Sequence, residues 1–183
     1  GTLLHFSFSP FLSAPFHPAS IMIKAVMIIN NHGKPRLMKF YEEVEMQKQQ
    51  EIMSECFRLV VNRSDKACNF LEGVPKSFGK DVKLIYRVYA TLFVIFIVDG
   101  SESELSVLDL IHVFVETLDN IFENVCELDV IFQFDKVNYL LDEIVMGGLV
   151  LESNLQRVLS SFTEQEQTAI SSLKTETVTK LKR

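Results

Sequence analysis

From Met22 to Ile29 the chain is apolar except for Lys24. That pattern predicts a strand buried along most of its length. Asn30-Asn31-His32-Gly33 follows, and Asn and Gly accept the positive φ that tight turns need. Pro35 to Tyr41 returns as a second strand, its proline near the start where a missing N–H is tolerated. The two strands make a hairpin. From about Met46 to Asn62 the period changes. Ile52, Met53, Cys56, Phe57, Val60 and Val61 recur at helical spacing, while Gln49, Gln50, Glu51, Glu55 and Arg58 fill the other face. Asn62-Arg63-Ser64-Asp65 stops that helix.

Ala67 to Glu72 reads as a strand, and residues 73–81 read as a loop by their Gly, Pro and charge. Val82 to Tyr89 and Ala90 to Asp99 read as two more strands. The second is almost wholly apolar and β-branched or aromatic, which predicts a central position. Ser101 stands three residues before Glu104, the spacing of a capping box. The helix it would open carries Leu105, Leu108, Ile111, Val115, Leu118 and Phe122 on one stripe and Glu102, Glu104, Asp109, Glu116 and Asp119 on the wet side. Asn124-Val125-Cys126 interrupts the stripe. Helical stretches follow at Glu127 to Phe134 and at Lys136 to Met146, the latter stopped by Gly147-Gly148. A last helix carries Leu155, Val158, Leu159 and Phe162. Beyond Thr163 the apolar density falls, so residues 164–183 are expected as a frayed or helical tail. The order β-β-α-β-β-β-α-α-α-α, with short links between strands, predicts an α+β fold in which an antiparallel sheet is flanked by helices.

The 183 residues suffice for one core, and apolar residues at 48% with charged residues at 23% exclude disorder throughout. Acids outnumber bases 24 to 18, which argues against a general nucleic-acid binder. Cys56, Cys68 and Cys126 form no CxxC pair, so neither a zinc knuckle nor a thioredoxin-type motif is supported. They are read as buried thiols in a reducing compartment. The longest apolar run, Ala90 to Val98, is too short for a membrane helix, which takes about 20 residues. Residues 1–21 carry no charge and hold Pro10, Pro15 and Pro18, which would interrupt a secretory signal. They are expected to be a disordered extension, translated leader ahead of a start at Met22, with residues 22–163 as the folded domain.

Motifs of catalysis are weak. Ser77-Phe78-Gly79-Lys80 has acylating S-x-x-K spacing but sits in a Gly/Pro loop rather than on a helix. Cys126 and His112 suggest a thiol nucleophile, against which stands an apolar setting that keeps a thiol protonated. Asp99, Glu102, Glu104 and Asp109 are better placed to favour a helix N-terminus than to hold a metal. Gly147-Gly148 lacks the Lys-Ser/Thr of a phosphate loop. Asn62-Arg63-Ser64 fits the glycosylation triplet, which carries no weight in a cytosolic chain. No enzyme, no cofactor and no metal are expected. A scaffold without chemistry of its own binds.

Met22-Ile23-Lys24, Asn31-His32-Gly33-Lys34-Pro35-Arg36-Leu37 and Lys39-Phe40-Tyr41 resemble the opening of the small (sigma) subunits of heterotetrameric clathrin-adaptor-type complexes. Ile85-Tyr86-Arg87, Tyr89-Ala90-Thr91-Leu92, Phe114-Val115-Glu116 and Asn124-Val125-Cys126-Glu127-Leu128-Asp129 continue the resemblance, which runs from Met22 to Asn154. Asn30 to Leu37, Cys68 to Gly73, Gly100 to Leu105 and Met146-Gly147-Gly148 look like the branch of adaptor protein complex 3. The resemblance implies a longin-like fold with a five-stranded sheet. It implies partnership with two large subunits and one medium subunit, and peripheral work on Golgi, endosomal and vesicle membranes. Cargo would be sorted from there toward lysosomes or vacuoles.

The resemblance also implies a site for acidic dileucine signals, [D/E]xxxL[L/I], in cargo tails, shared with a large subunit. Ala90, Leu92, Val115, Asn124, Val125, Leu128 and Val130 would line the leucine pocket, and Arg36 would face the acidic residue. Burying each leucine is worth roughly 1.5–3 kcal/mol, part of it lost in ordering the tail, so a single contact is weak and avidity on a membrane strengthens it. From residue type alone, Leu92, Val115 and Val125 fit plain core equally well, and Arg36 fits a solvated surface arginine. Val137, Leu140, Leu141 and Ile144 stand as candidates for the face toward a large subunit. Two other readings remain open. One is a purely structural subunit, and the other a longin-type regulator of GTPases or membrane fusion, although Ser153 to Arg183 shows neither a long heptad run nor an apolar end.

Overall fold

The computed structural model describes residues 22–64 and 67–181, with side chains described as far as Thr168. The expected N-terminal extension, 1–21, lies outside the described residues. Five strands form one antiparallel sheet: β1 (Ile23–Asn30), β2 (Pro35–Phe40), β3 (Phe70–Glu72), β4 (Val82–Tyr89) and β5 (Leu92–Asp99), in the order β2-β1-β5-β4-β3. The expected α+β, longin-like layer fold is therefore the fold observed.

β1 and β5 are apolar on both faces because both faces are covered. Val26 and Ile28 of β1, with Val94, Phe96 and Val98 of β5, point into one core. Ala25, Met27 and Ile29, with Phe93, Ile95 and Ile97, point into the other. This period-2 alternation in two buried layers is why a run with no polar residue still folds as a strand. The second core is closed by α1 (Met46–Val61) through Ile52, Cys56 and Val60. The first is closed by α2 (Glu104–Phe122), α4 (Phe134–Ile144) and α5 (Leu155–Leu181), with the short α3 (Glu127–Phe132) at its edge.

Several local expectations are corrected. The strand expected over Ala67 to Glu72 is only three residues long, pairing Phe70 to Glu72 with Ile85 to Lys83. β5 begins at Leu92 rather than Ala90. The ladder between β4 and β5 is continuous to Tyr89 and Leu92, so Ala90 and Thr91 must make the turn, and Ala90 takes φ 50° to do it. Ser101 caps no helix. Its hydroxyl is captured by Asp99 two residues back (2.7 Å), and α2 starts after Ser103. Leu105, on the expected apolar stripe, is 74% exposed, while Val107, Leu110 and Phe114 are buried in its place. The helical boundary expected between Phe134 and Lys136 falls at Gln133.

Gly147-Gly148 is not a helix stop. α4 ends at Ile144, and β6 (Val145–Met146) and β7 (Leu149–Val150) form a small hairpin around the two glycines, which have φ 58° and 84°. Positive φ at both central residues is the requirement of a type I′ turn. The hairpin is fastened to β1, with the Ile23 amide donating to the Gly148 carbonyl at 2.7 Å. Val137, Leu140, Leu141 and Ile144 are fully buried within the chain's own core and face no partner. Of the three thiols only Cys56 is buried, and Cys68 and Cys126 are exposed.

Candidate functional site

At one end of the sheet the β4–β5 turn, the C-terminal half of α2 and the start of α3 surround a cavity of about 380 Å³. That is within the usual range for small ligand sites, roughly 300–1,000 Å³. Its walls are Ile28 of β1, Leu92 of β5, Val115 and Leu118 of α2, and Val125 and Val130 around α3. Ala90 and Thr91 stand at its mouth with the ionisable groups His112, Glu116, Asp119 and Glu127. Ala90, Leu92, Val115, Val125 and Val130 of the expected set are thus brought together. Asn124 and Leu128 lie outside the lining, both exposed.

The segment Asn124 to Asp129 builds this wall residue by residue. α2 ends as Glu123 and Asn124 turn left-handed, with φ 52° and 78°. Asn tolerates that region better than most residues. Asp119 accepts the Val125 amide at 2.9 Å, so the chain doubles back and lays Val125 into the cavity. The Cys126 amide then donates to Asp129 at 2.8 Å, closing the first turn of α3. Val130 on the inner face of α3 is fully buried, and Leu128 on the outer face is 58% exposed.

Arg36 does not line the cavity. It reaches the rim from β2 and meets Glu127, with Nε and Nη2 donating to Oε1 at 2.7 and 2.5 Å. Asn30 donates to the same oxygen at 3.0 Å. Arg36 foremost, then Asn30, hold the Glu127 carboxyl below the usual carboxylate range. Glu127 had no mark in the sequence beyond its place in the Asn124–Asp129 stretch. A pair 91 positions apart becomes visible only when the β1–β2 hairpin and α3 share an edge.

The weak catalytic candidates find other partners. The Ser77 hydroxyl and the Lys76 and Ser77 amides all donate to Glu55, which fastens the 73–81 loop to α1. His112 pairs with Glu116 one turn along α2 (3.2 Å). Cys126 is not in the apolar setting expected of it, since it is exposed at the start of α3. Glu102 accepts the Met22 amide, and Glu104 pairs with Lys83 at 2.5 Å. Among the described residues no group of three or more His, Cys, Asp and Glu is placed to hold a metal ion, and no helix is long and apolar enough to cross a membrane.

A five-stranded antiparallel sheet covered by helices on both faces is consistent with the longin-like fold of an adaptor small chain. The family model described as clathrin adaptor complex small chain matches residues 22–169, and the chain belongs to that family. Within it the chain is 61% identical over 148 residues to the AP-3 complex subunit sigma of Dictyostelium discoideum, covering 80% of this chain and 86% of that one. It is 57% identical over 146 residues to AP-3 complex subunit sigma-2 of Homo sapiens, covering 80% and 76%. Over 143 residues it is 50% identical to the AP-3 sigma subunit of Arabidopsis thaliana, covering 78% and 86%. Among structures it superposes with TM-score 0.65 and 40% identity on a chain of a homology model of the full-length AP-3 complex in a stretched open conformation, covering 84% of this chain and 99% of that chain.

Proposed function

We propose that this chain is the small subunit of a type 3 adaptor complex. There it braces two large subunits and a medium one and, with a large subunit, holds acidic dileucine signals of cargo tails. The longin-like domain of residues 22–163 carries this work, peripheral on Golgi, endosomal and vesicle membranes, on the route toward lysosomes or vacuoles. The observation that carries the reading is the cavity walled by Leu92, Val115, Val125 and Val130 with Arg36 at its rim. Leucine side chains entering it leave water at roughly 1.5–3 kcal/mol each. The guanidinium has donors to spare for a second carboxylate.

The test uses the chain assembled with its adaptor partners and a dileucine peptide. Ala90 is exposed at the cavity mouth and already left-handed, so Ala90→Phe fills the entrance without touching the core. Val115→Asp places a charge on the wall. Both should abolish peptide binding while the complex still assembles. Unchanged binding in both would leave a bracing subunit whose cavity is unused.

A further inference from the structure

The mouth of the cavity is acidic on this chain's own side. Among the described residues, Glu116, Asp119 and Glu127 stand around it, His112 is paired with Glu116, Arg36 reaches the rim at Glu127, and Arg87 lies beside the lining residue Tyr89. Arg36 is only partly open to an incoming acid. Glu127 holds the Nε–Nη2 edge of its fork, with side-chain exposures of 21% for Arg36 and 26% for Glu127. Asn30 adds a third hydrogen bond to the same carboxylate oxygen. A peptide carboxylate arriving here meets a pair of nearly zero net charge and a carboxylate already seated.

Resting on the reading of the cavity as a dileucine site, we infer that Glu127 is an internal stand-in for the peptide's acidic residue, and that it sets how strongly this site selects acidic over neutral signals. Glu127 does two things at once. Its hydrogen bonds hold the guanidinium at the rim, and its charge cancels most of the attraction the guanidinium would exert. The outer fork edge, with Nη1, remains for a peptide, so Glu127 lowers selectivity without blocking entry. The apolar wall then carries most of the affinity.

Glu127→Gln separates the two roles. The amide oxygen still accepts from Arg36 and Asn30, so the guanidinium stays in place while the charge is removed. The measurement is the affinity of the assembled complex for two peptides, one with an acidic residue four positions before the leucines and one with Gln there. The acidic-to-neutral ratio should rise about three- to tenfold at low salt, the range set by one unit charge a few ångströms away in a partly aqueous site, and should shrink as salt screens it. In a second arm, Arg36→Gln should lower that ratio in both backgrounds, since the attraction of the guanidinium for the peptide carboxylate adds to the repulsion from Glu127. A ratio that is unchanged or lower in Glu127→Gln, or a ratio that Arg36→Gln leaves unchanged, overturns the inference. Ala90→Phe run alongside separates the two failures. If it abolishes binding while Glu127→Gln leaves the ratio flat, the cavity reading stands and the role of Glu127 falls. If Ala90→Phe changes nothing, the cavity reading falls and takes this one with it.

Discussion

Asp119 and Val125 are tied across the end of α2, the carboxylate accepting the backbone amide at 2.9 Å. Four residues earlier on the same helix, Val115 faces the cavity that Val125 helps to close. One polar contact therefore fixes the distance between two apolar walls. Hydrogen bonds to charged groups contribute about 1.5–3 kcal/mol, and at this exposed turn the lower end applies. Asp119→Ala should cost about 1.5 kcal/mol in thermal or denaturant unfolding and weaken peptide binding beyond that. Asp119→Asn keeps an acceptor oxygen in place and should recover most of both. Equal losses in the two variants would show that the turn does not depend on this contact.

Gly148 answers to a different force. At φ 84° its added Cβ would meet the Ile23 carbonyl oxygen at 2.5 Å, a backbone atom that cannot swing away. Left-handed backbone alone costs a non-glycine residue about 1–2 kcal/mol. Gly148→Ala should therefore lose more than about 2 kcal/mol and loosen the β6–β7 hairpin from β1. Gly147 has φ 58° with open space around it, and Gly147→Ala should lose only about 1 kcal/mol. Paired denaturant melts decide this, and matching losses would mean that the close approach to Ile23 relaxes.

Burial pushes the Cys56 thiol up to about 12, Glu55 adding to the effect, whereas Cys68 and Cys126 are exposed. The thiolate is the reactive form. Alkylation of the native chain near neutral pH should label Cys68 and Cys126 within minutes and leave Cys56 untouched until denaturant is added. Site-resolved mass spectrometry reads this directly, and early modification at Cys56 would show that α1 opens from the sheet in the native state.

Six described carboxyls, Glu55, Asp99, Glu104, Glu127, Asp129 and Glu152, sit below their ordinary range in the folded chain. The Ser101 hydroxyl acts on Asp99, Lys83 on Glu104, Arg36 on Glu127, the Cys126 amide on Asp129, and the Asn154 amide on Glu152. A folded value below the unfolded one means that the unfolded chain binds protons first as pH falls. The stability these groups contribute is present above the ordinary carboxyl range, about 4, and disappears as pH falls through their lower folded values. The melting temperature should be flat from pH 7 to about 5 and fall below about 4. Lys83→Met should shallow that fall, since Glu104 then titrates near its unfolded value. An unchanged acid limb in Lys83→Met would remove the Lys83–Glu104 pair from the account.

The elements that sequence made legible are those whose period is enforced by burial. β1 and β5 are apolar because two layers cover them, and Val107 to Leu118 of α2 recur because one face meets the sheet. The β6–β7 hairpin was illegible because two residues per strand carry no period, and two glycines after a helix serve a stop and a turn equally well. Val137, Leu140, Leu141 and Ile144 looked like surplus apolar surface, but α5 supplies Val158 and Phe162 to the core they pack into. The site was legible only by resemblance. Leu92, Val115, Val125 and Val130 come from separate segments, and each alone resembles core. Glu127 was missed because its partner Arg36 lies across the fold.

With those α4 residues sealed inside, the apolar surface left for assembly lies elsewhere. On α3, Ile131 is 40% and Phe132 79% exposed, and Phe134 follows at 44%. Exposed aromatic and aliphatic side chains grouped on one short helix are unusual for a chain that works alone and typical of a subunit contact. They suit contact with another adaptor subunit. Ile131→Ser with Phe132→Ser removes this surface while leaving Val130, the inward residue of the same turn, in place. The lone chain should keep its melting temperature, since exposed substitutions shift stability within about 0.5 kcal/mol, and should become more soluble. Recovery of the other adaptor subunits after co-expression should fall severalfold, and peptide binding should fall with it. Full recovery of the assembly with both serines in place would move the subunit contact away from α3.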